Sequence, residues 1–286
     1  MARAAVAFSP AHLSGYFRRI AGTDPRSTGS EGAGVVIDEG VTAWVTRAPK
    51  TMIAVNRISQ KGESLERYDG SPPLEYAMER LGVQAQVVTS CTLPIGAGFG
   101  CSAAALLATL SAVSTLFDLN LSREEIASLA HETEVVHRTG LGDVAALQGG
   151  GMVCRRGAGI HADITRIVSG DPLFALSFGP IHTPSVLGSE EAMDRVARAF
   201  PDRCPSNLPE FLAFSRSFAE ESGLITPRVR EALERCDRYA VPASMTMLGE
   251  GVFAIGKNAM AAFSPLGSPF MVHISRHGFS PAEVEV

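Results

Sequence analysis

The run Pro94-Ile95-Gly96-Ala97-Gly98-Phe99-Gly100-Cys101-Ser102-Ala103-Ala104-Ala105 sets three alternating glycines before an alanine- and leucine-rich helix, Ser102 to about Phe117. Glycine permits positive φ and close backbone approach. A glycine-rich turn entering a helix aims several free N–H groups, and the positive end of the helix dipole, at one point. That arrangement holds phosphate. Ser102, in the first helical turn, adds a hydroxyl that reaches a phosphate or its Mg2+. Two other phosphate loops are excluded. A Walker A loop ends in Gly-Lys-Ser/Thr, and no lysine lies nearby. The pattern G-x-G-x-x-G started at Gly96 requires glycine at position 101, where Cys101 stands.

A second group follows in His131-Glu132-Thr133-Glu134-Val135-Val136-His137-Arg138-Thr139-Gly140-Leu141-Gly142-Asp143. A helix carries Glu132 and Glu134, a glycine turn ends it, and Asp143 stands just after. Phosphoryl transfer from ATP needs a metal to bridge phosphate oxygens and a group to take the acceptor hydroxyl's proton. Mg2+ commonly binds one or two carboxylates together with phosphates and water. A helix glutamate for the metal and a loop aspartate for the proton provide both. The third group, Met245-Thr246-Met247-Leu248-Gly249-Glu250-Gly251, puts a glycine pair before a strand, which allows close approach to a ligand or to another part of the chain.

The elements that position these groups follow from pattern. Ala4–Phe8 reads as a short strand leading into a turn-rich segment, Ser9–Gly15, and Ser27–Gly34 as a second glycine-rich turn. Strands are expected at 35–38, 41–47, 52–58 and 84–89, with a helix over 73–81. Ser122, with Glu125 three residues on, forms a capping box that starts the helix running to about His137. Gly149–Gly151 turns into a strand over 152–155, so Arg155 and Arg156 face opposite sides of it. The later half holds a strand at 174–178, helices near 190–200, 209–221 and 227–239, and strands at 252–255 and 270–274. This alternation predicts an α+β fold of two lobes, 1–165 and 166–286.

The chain has 286 residues, 45% of them hydrophobic and 19% charged, enough for a substantial core. Net charge is −5 without blocks of like charge, which gives no basis for nucleic-acid or membrane partners. Residues 82–117 carry no charge, but Pro94 and the glycines interrupt them and the helical part is shorter than the ~20 residues a bilayer needs. Cys91, Cys101, Cys154, Cys204 and Cys236 are odd in number and lack CxxC spacing, so neither a zinc site nor a disulfide framework is expected. A reducing, cytoplasmic location fits, and Met1–Pro10 lacks the apolar core of a signal peptide.

The order of these motifs resembles the GHMP kinase superfamily, whose loop reads P-x-G-x-G-[LF]-G-x-S-A-A. Within it the likeness is to the archaeal pantoate kinases, carried by Phe8–Phe17, Gly29–Gly34, Thr139–Val144 and Met247–Gly249. The resemblance implies a two-lobed GHMP kinase-like fold, with a ribosomal-protein-S5-like N-terminal lobe and a ferredoxin-like C-terminal lobe. It implies ATP and Mg2+ and phosphorylation of (R)-pantoate to 4-phosphopantoate in coenzyme A biosynthesis; a homodimer is compatible with it. Pro94, Gly96, Gly98, Gly100, Cys101 and Ser102 match the nucleotide loop, with Cys101 in place of the more usual serine. Asp143 matches the base or orienting aspartate. The resemblance implies as metal ligands Ser102 and either Glu134, by the Ala130-His131-x-x-Glu134 pattern, or Glu132, by the spacing to Asp143 in other branches. His12 stands where many members carry lysine or arginine and is placed with the substrate residues.

Pantoate presents a carboxylate, which an arginine fork binds bidentately. Arg155 is the expected partner, with Thr28 and His131 as further substrate contacts. The bland alternatives are a solvated strand arginine, a threonine bonded to its own turn and a packing histidine. Other readings are a GHMP kinase for homoserine, mevalonate or shikimate, the related synthase of a ribofuranosylaminobenzene phosphate, and a catalytically silent ligand sensor. The presence of both Ser102 and Asp143 argues against the sensor.

Overall fold

The computed structural model describes residues 4–181 and 189–285; the first three residues of the Met1–Pro10 segment lie outside it. The chain opens with two long strands, β1 (Ala4–Ile20) and β2 (Gly29–Arg47), paired antiparallel along nearly their full length. This corrects the expected turns at 9–15 and 27–34. The turn-forming residues sit inside the strands, because register shifts between Pro10 and Ala11 and between Ser14 and Tyr16 absorb the proline and Gly15. Such bulges re-aim side chains, and they lie beside the segment carrying His12 and Ser14.

Next come β3 (Met52–Ile58), β4 (Ser64–Asp69), α1 (Pro72–Leu81), β5 (Ala85–Cys91), α2 (Cys101–Leu116), α3 (Arg123–His137), the short α4 (Asp143–Ala146), β6 (Met152–Arg156) and β7 (Asp163–Ile167). The strands β4 and β7, like those at Ala243–Met245 and Glu283–Glu285, are additions to the sequence reading: β4 is largely exposed and β7 mixes exposed and partly buried positions, so neither of these two has an apolar run. The later part holds β8 (Leu173–Pro180), α5 (Glu190–Arg198), α6 (Leu208–Ser222), α7 (Pro227–Arg238), β9 (Ala243–Met245), β10 (Gly249–Ile255), α8 (Ala259–Phe263), β11 (Phe270–Val272) and β12 (Glu283–Glu285).

Among the described residues these strands form two sheets. The first has the order β12-β1-β2-β5-β3-β4, with β6 on β2 and β7 on β6; the second is β11-β8-β10-β9. The first sheet keeps the chain through Ile167, and the last strand, β12, returns to β1. Helix α2 is apolar on all sides and buried along nearly its whole length, so it is the central helix of one core, flanked by α1 and α3. Each fully buried leucine on it contributes about 1.5–3 kcal/mol. A second core joins both sheets and places Tyr16 of β1 against Phe200, Phe211 and Phe218. At α3 the capping box forms as read: the Ser122 hydroxyl accepts from Glu125 N–H while the Glu125 carboxylate accepts from Ser122 N–H.

Cys154 of β6 is disulfide-bonded to Cys204 in the segment between α5 and α6. This bond departs from the expectation that the cysteines form no disulfide framework. The partners are 50 residues apart in sequence, their Cα atoms 5.8 Å apart, and both α5 and α6, which flank Cys204, pack on β1. No helix among the described residues is long and apolar enough to cross a membrane.

Candidate active site

A cleft of about 370 Å3 is lined by the 95–102 loop, the 139–143 turn, β1, β2 and β6. Gly100 caps α2 in the left-handed conformation, φ 61°, with no side-chain hydrogen bond to the helix. A residue with a Cβ is strained there. The first-turn N–H groups are therefore offered to an anion. The second sheet braces this loop: the Thr246 hydroxyl donates to the carbonyl of Ala97 at 3.1 Å. The Gly249–Gly251 pair, read as a turn, lies within β10, and its use is this close approach to the loop.

Ser102 donates its hydroxyl to Glu134 Oε1 at 2.6 Å, and Thr139 donates to the same oxygen at 2.7 Å. Glu134 is buried, and burial pushes its carboxyl up to about 7, with the charge of Asp143 adding to the shift. Between pH 4.5 and that value the folded state holds a proton that the unfolded chain has released. Stability therefore falls as pH rises through this window, by up to about 3 kcal/mol. Urea unfolding in chelator at pH 5 and pH 7.5 reads this slope, and Glu134→Gln is expected to flatten it. An unchanged slope in that variant would remove the effect from Glu134.

Asp143 opens α4 with its side chain about one-fifth exposed. His12 Nδ1 lies 2.6 Å from its Oδ1, and the Ser14 hydroxyl donates to the same oxygen at 3.4 Å. Burial raises the Asp143 carboxyl, but the His12 hydrogen bond, the Arg155 charge and Ser14 outweigh it and hold the group below its usual value. Arg155 projects from β6 to the same place. A Cβ on Gly142 would collide with its guanidinium, and Ser30 Oγ adjoins that point. Arg155 is 1% exposed, lines the cleft, and its Nε and Nη1 have no protein partner. Arg156 faces outward, as strand alternation requires.

The remaining sequence candidates separate. Glu132 is turned away from Ser102 and is held by Arg80 and by Arg26 at 3.1 Å. Thr28 accepts Gly22 N–H on its hydroxyl at 3.1 Å, and its carbonyl accepts from His131 Nε2 at 2.8 Å; neither residue lines the cleft. His12 is wholly buried behind Asp143 rather than in the cleft. Thus Glu132 pairs with Arg26 and Arg80, and Thr28, His131 and His12 each have a hydrogen-bond partner within the protein. Cys101 lines the cleft, where hydrogen bonding to Cys91 and burial keep its thiol protonated. Ser14, Ser30 and Thr139 line the cleft and were not singled out from sequence. Ser14 is two positions from His12, so period-2 alternation would have found it had the strand been recognised.

The family described as GHMP kinases N terminal domain matches residues 73–151. The chain is 43% identical to the pantoate kinase of Methanospirillum hungatei over 272 residues, 95% of this chain and 94% of that one. It is 30% identical to the pantoate kinase of Thermococcus kodakarensis, covering 89% of this chain and 88% of that one. A solved structure described as a phosphotransferase related to the CoA biosynthesis pathway superposes with a TM-score of 0.76 at 24% identity, covering 99% of this chain and 98% of that one.

Proposed function

The chain belongs to the GHMP kinase family, and we propose that it transfers the terminal phosphoryl group of ATP to the primary hydroxyl of pantoate, giving 4-phosphopantoate for coenzyme A synthesis. The observation that carries this reading is one cleft holding a phosphate loop, an Asp143 carboxyl held below its usual value by His12 and Arg155, and a buried arginine with two unpartnered nitrogens. A buried guanidinium left without partners is costly and calls for an anion. The carboxylate of a hydroxy acid supplies one.

The cleft lining divides the substrates. Val55, Pro73, Leu74 and Ile95 form an apolar group suited to the adenine, and the Gly96–Gly100 backbone and the α2 N-terminus suit the phosphates. Ser14, Ser30, Asp143 and Arg155 form the group suited to pantoate. We place nucleotide handling in residues 1–165 and the bracing of the loop in 166–286.

The donor set fits Mg2+. Ser102 and Glu134, joined by a hydrogen bond, would hold the ion through two hard oxygens. When bound, Mg2+ neutralises charge on the transferring phosphoryl group. Asp143 does the proton chemistry. Its Oδ1 is occupied by His12 and Ser14, and its other oxygen takes the hydroxyl proton as the new O–P bond forms and the bond to ADP breaks. Arg155 fixes the carboxylate so that the hydroxyl meets Asp143.

Glu134→Gln is expected to raise the Mg2+ needed for half-maximal activity by about 10- to 100-fold. Glu132→Gln, which weakens the contacts with Arg26, Arg80 and Tyr76, is expected to leave that requirement unchanged. The reverse ranking would move the metal to Glu132. The activity itself is tested by 31P NMR of the product. Phosphorylation at the primary hydroxyl gives a phosphomonoester coupled to two protons. A phosphorus coupled to one proton, or no phosphomonoester, would contradict the proposal.

A further inference from the structure

We propose that His12 is the positioning residue of the transfer base, its Nδ1–H fixing the Asp143 carboxylate in register with the phosphate loop. The inference rests on the reading of Asp143 as the base and names what sets that base in place. His12 is fully buried and does not line the cleft, so it does not meet the substrate. Its Nδ1 lies 2.6 Å from Asp143 Oδ1. With Nδ1 donating, Nε2 carries a lone pair, and that atom has no partner. The ring edge abuts Gly34 of β2, where a Cβ would collide with Nε2. Half of the imidazole's hydrogen-bonding capacity is thus unmet, a cost that an apolar side chain of similar size would avoid. What histidine adds is the single N–H aimed at Asp143.

The backbone of the same residue holds the other partner. His12 N–H donates to the carbonyl of Phe99 at 3.2 Å, and Gly100 packs against the His12 main chain. One residue therefore joins the end of the phosphate loop, through its main chain, to the base, through its side chain. Ser14, on the same face of β1, adds a longer contact to the same Oδ1. Asp143 Oδ2 accepts no hydrogen bond among the described residues and is left for the acceptor hydroxyl. Burial lowers the His12 pKa, and the Asp143 hydrogen bond and charge act in the opposite direction.

The test compares His12→Asn, His12→Gln and His12→Phe with wild type. The asparagine amide nitrogen falls near the place of Nδ1, the glutamine nitrogen near that of Nε2, and phenylalanine keeps volume alone. Gln and Phe are expected to lower kcat about tenfold or more, with KM for pantoate and for ATP changed by less than about threefold. Asn is expected to recover most of that loss. Thermal unfolding and ATP titration of each variant verify folding, and the Asn–Gln pair decides the matter if Phe does not fold. Wild-type kcat in Gln, a loss in Asn equal to that in Gln, or a loss residing in KM would overturn the inference. A wild-type protein inactive on pantoate overturns instead the function on which the inference rests.

Discussion

Asp143→Asn is expected to cut turnover by about 10²–10⁴-fold while leaving ATP affinity near that of wild type. The size follows from what the amide keeps and loses. Its carbonyl oxygen still accepts from His12 Nδ1–H, so the side chain stays in place. The atom facing the acceptor hydroxyl becomes an NH2 group, which cannot take a proton. The loss corresponds to about 3–5 kcal/mol of transition-state stabilisation. ATP binding is spared because the Gly96–Gly100 backbone, Ser102 and Glu134 are untouched. Steady-state turnover at saturating substrates and a nucleotide titration separate the two quantities. Turnover within a few-fold of wild type would remove Asp143 from proton transfer.

Arg155→Met is expected to raise the pantoate requirement about ten- to a hundredfold and to leave that for ATP unchanged. A charge-assisted hydrogen bond to a carboxylate contributes about 1.5–3 kcal/mol, which is that range in affinity. The variant carries a second expectation that distinguishes binding from folding. Without substrate, the Arg155 Nε and Nη1 are buried and unpaired, so methionine removes an unmet cost while conserving much of the volume. The ligand-free variant is therefore expected to melt no lower than wild type, and the rise in melting temperature on adding pantoate is expected to disappear. Arg156→Ala, on the outward face of β6, is the control. If Arg156→Ala raises the pantoate requirement and Arg155→Met does not, the carboxylate lies on the other side of the strand.

What was legible in sequence was local. The phosphate loop, α2 and the capping box of α3 depend on residues within a few positions of one another, and the structure has them where the pattern places them. The β1–β2 pair was misread because its turn-type residues serve other ends. Pro10 sits at a bulge, and Gly34 makes room for the His12 ring. Only the partner strand reveals that. Glu132 and Glu134 are two apart on a helix and cannot share a face; the period separates them, but only the contact with Ser102 says which one faces the cleft. Thr28 and His131 bond each other across 103 residues, and Cys154 finds Cys204 across 50, distances over which composition and spacing carry no signal. The arrangement of His12 around Asp143 was out of reach for the same reason: 131 residues separate the two, and only the fold brings them together.

A coupled ADP-release assay across pantoate, homoserine, mevalonate and shikimate tests the central claim most directly. Saturable ADP release with pantoate, one ADP per phosphopantoate formed, and only background release with the other three is the predicted result. Release with another of these alcohols but not with pantoate, or with none of them, would contradict it.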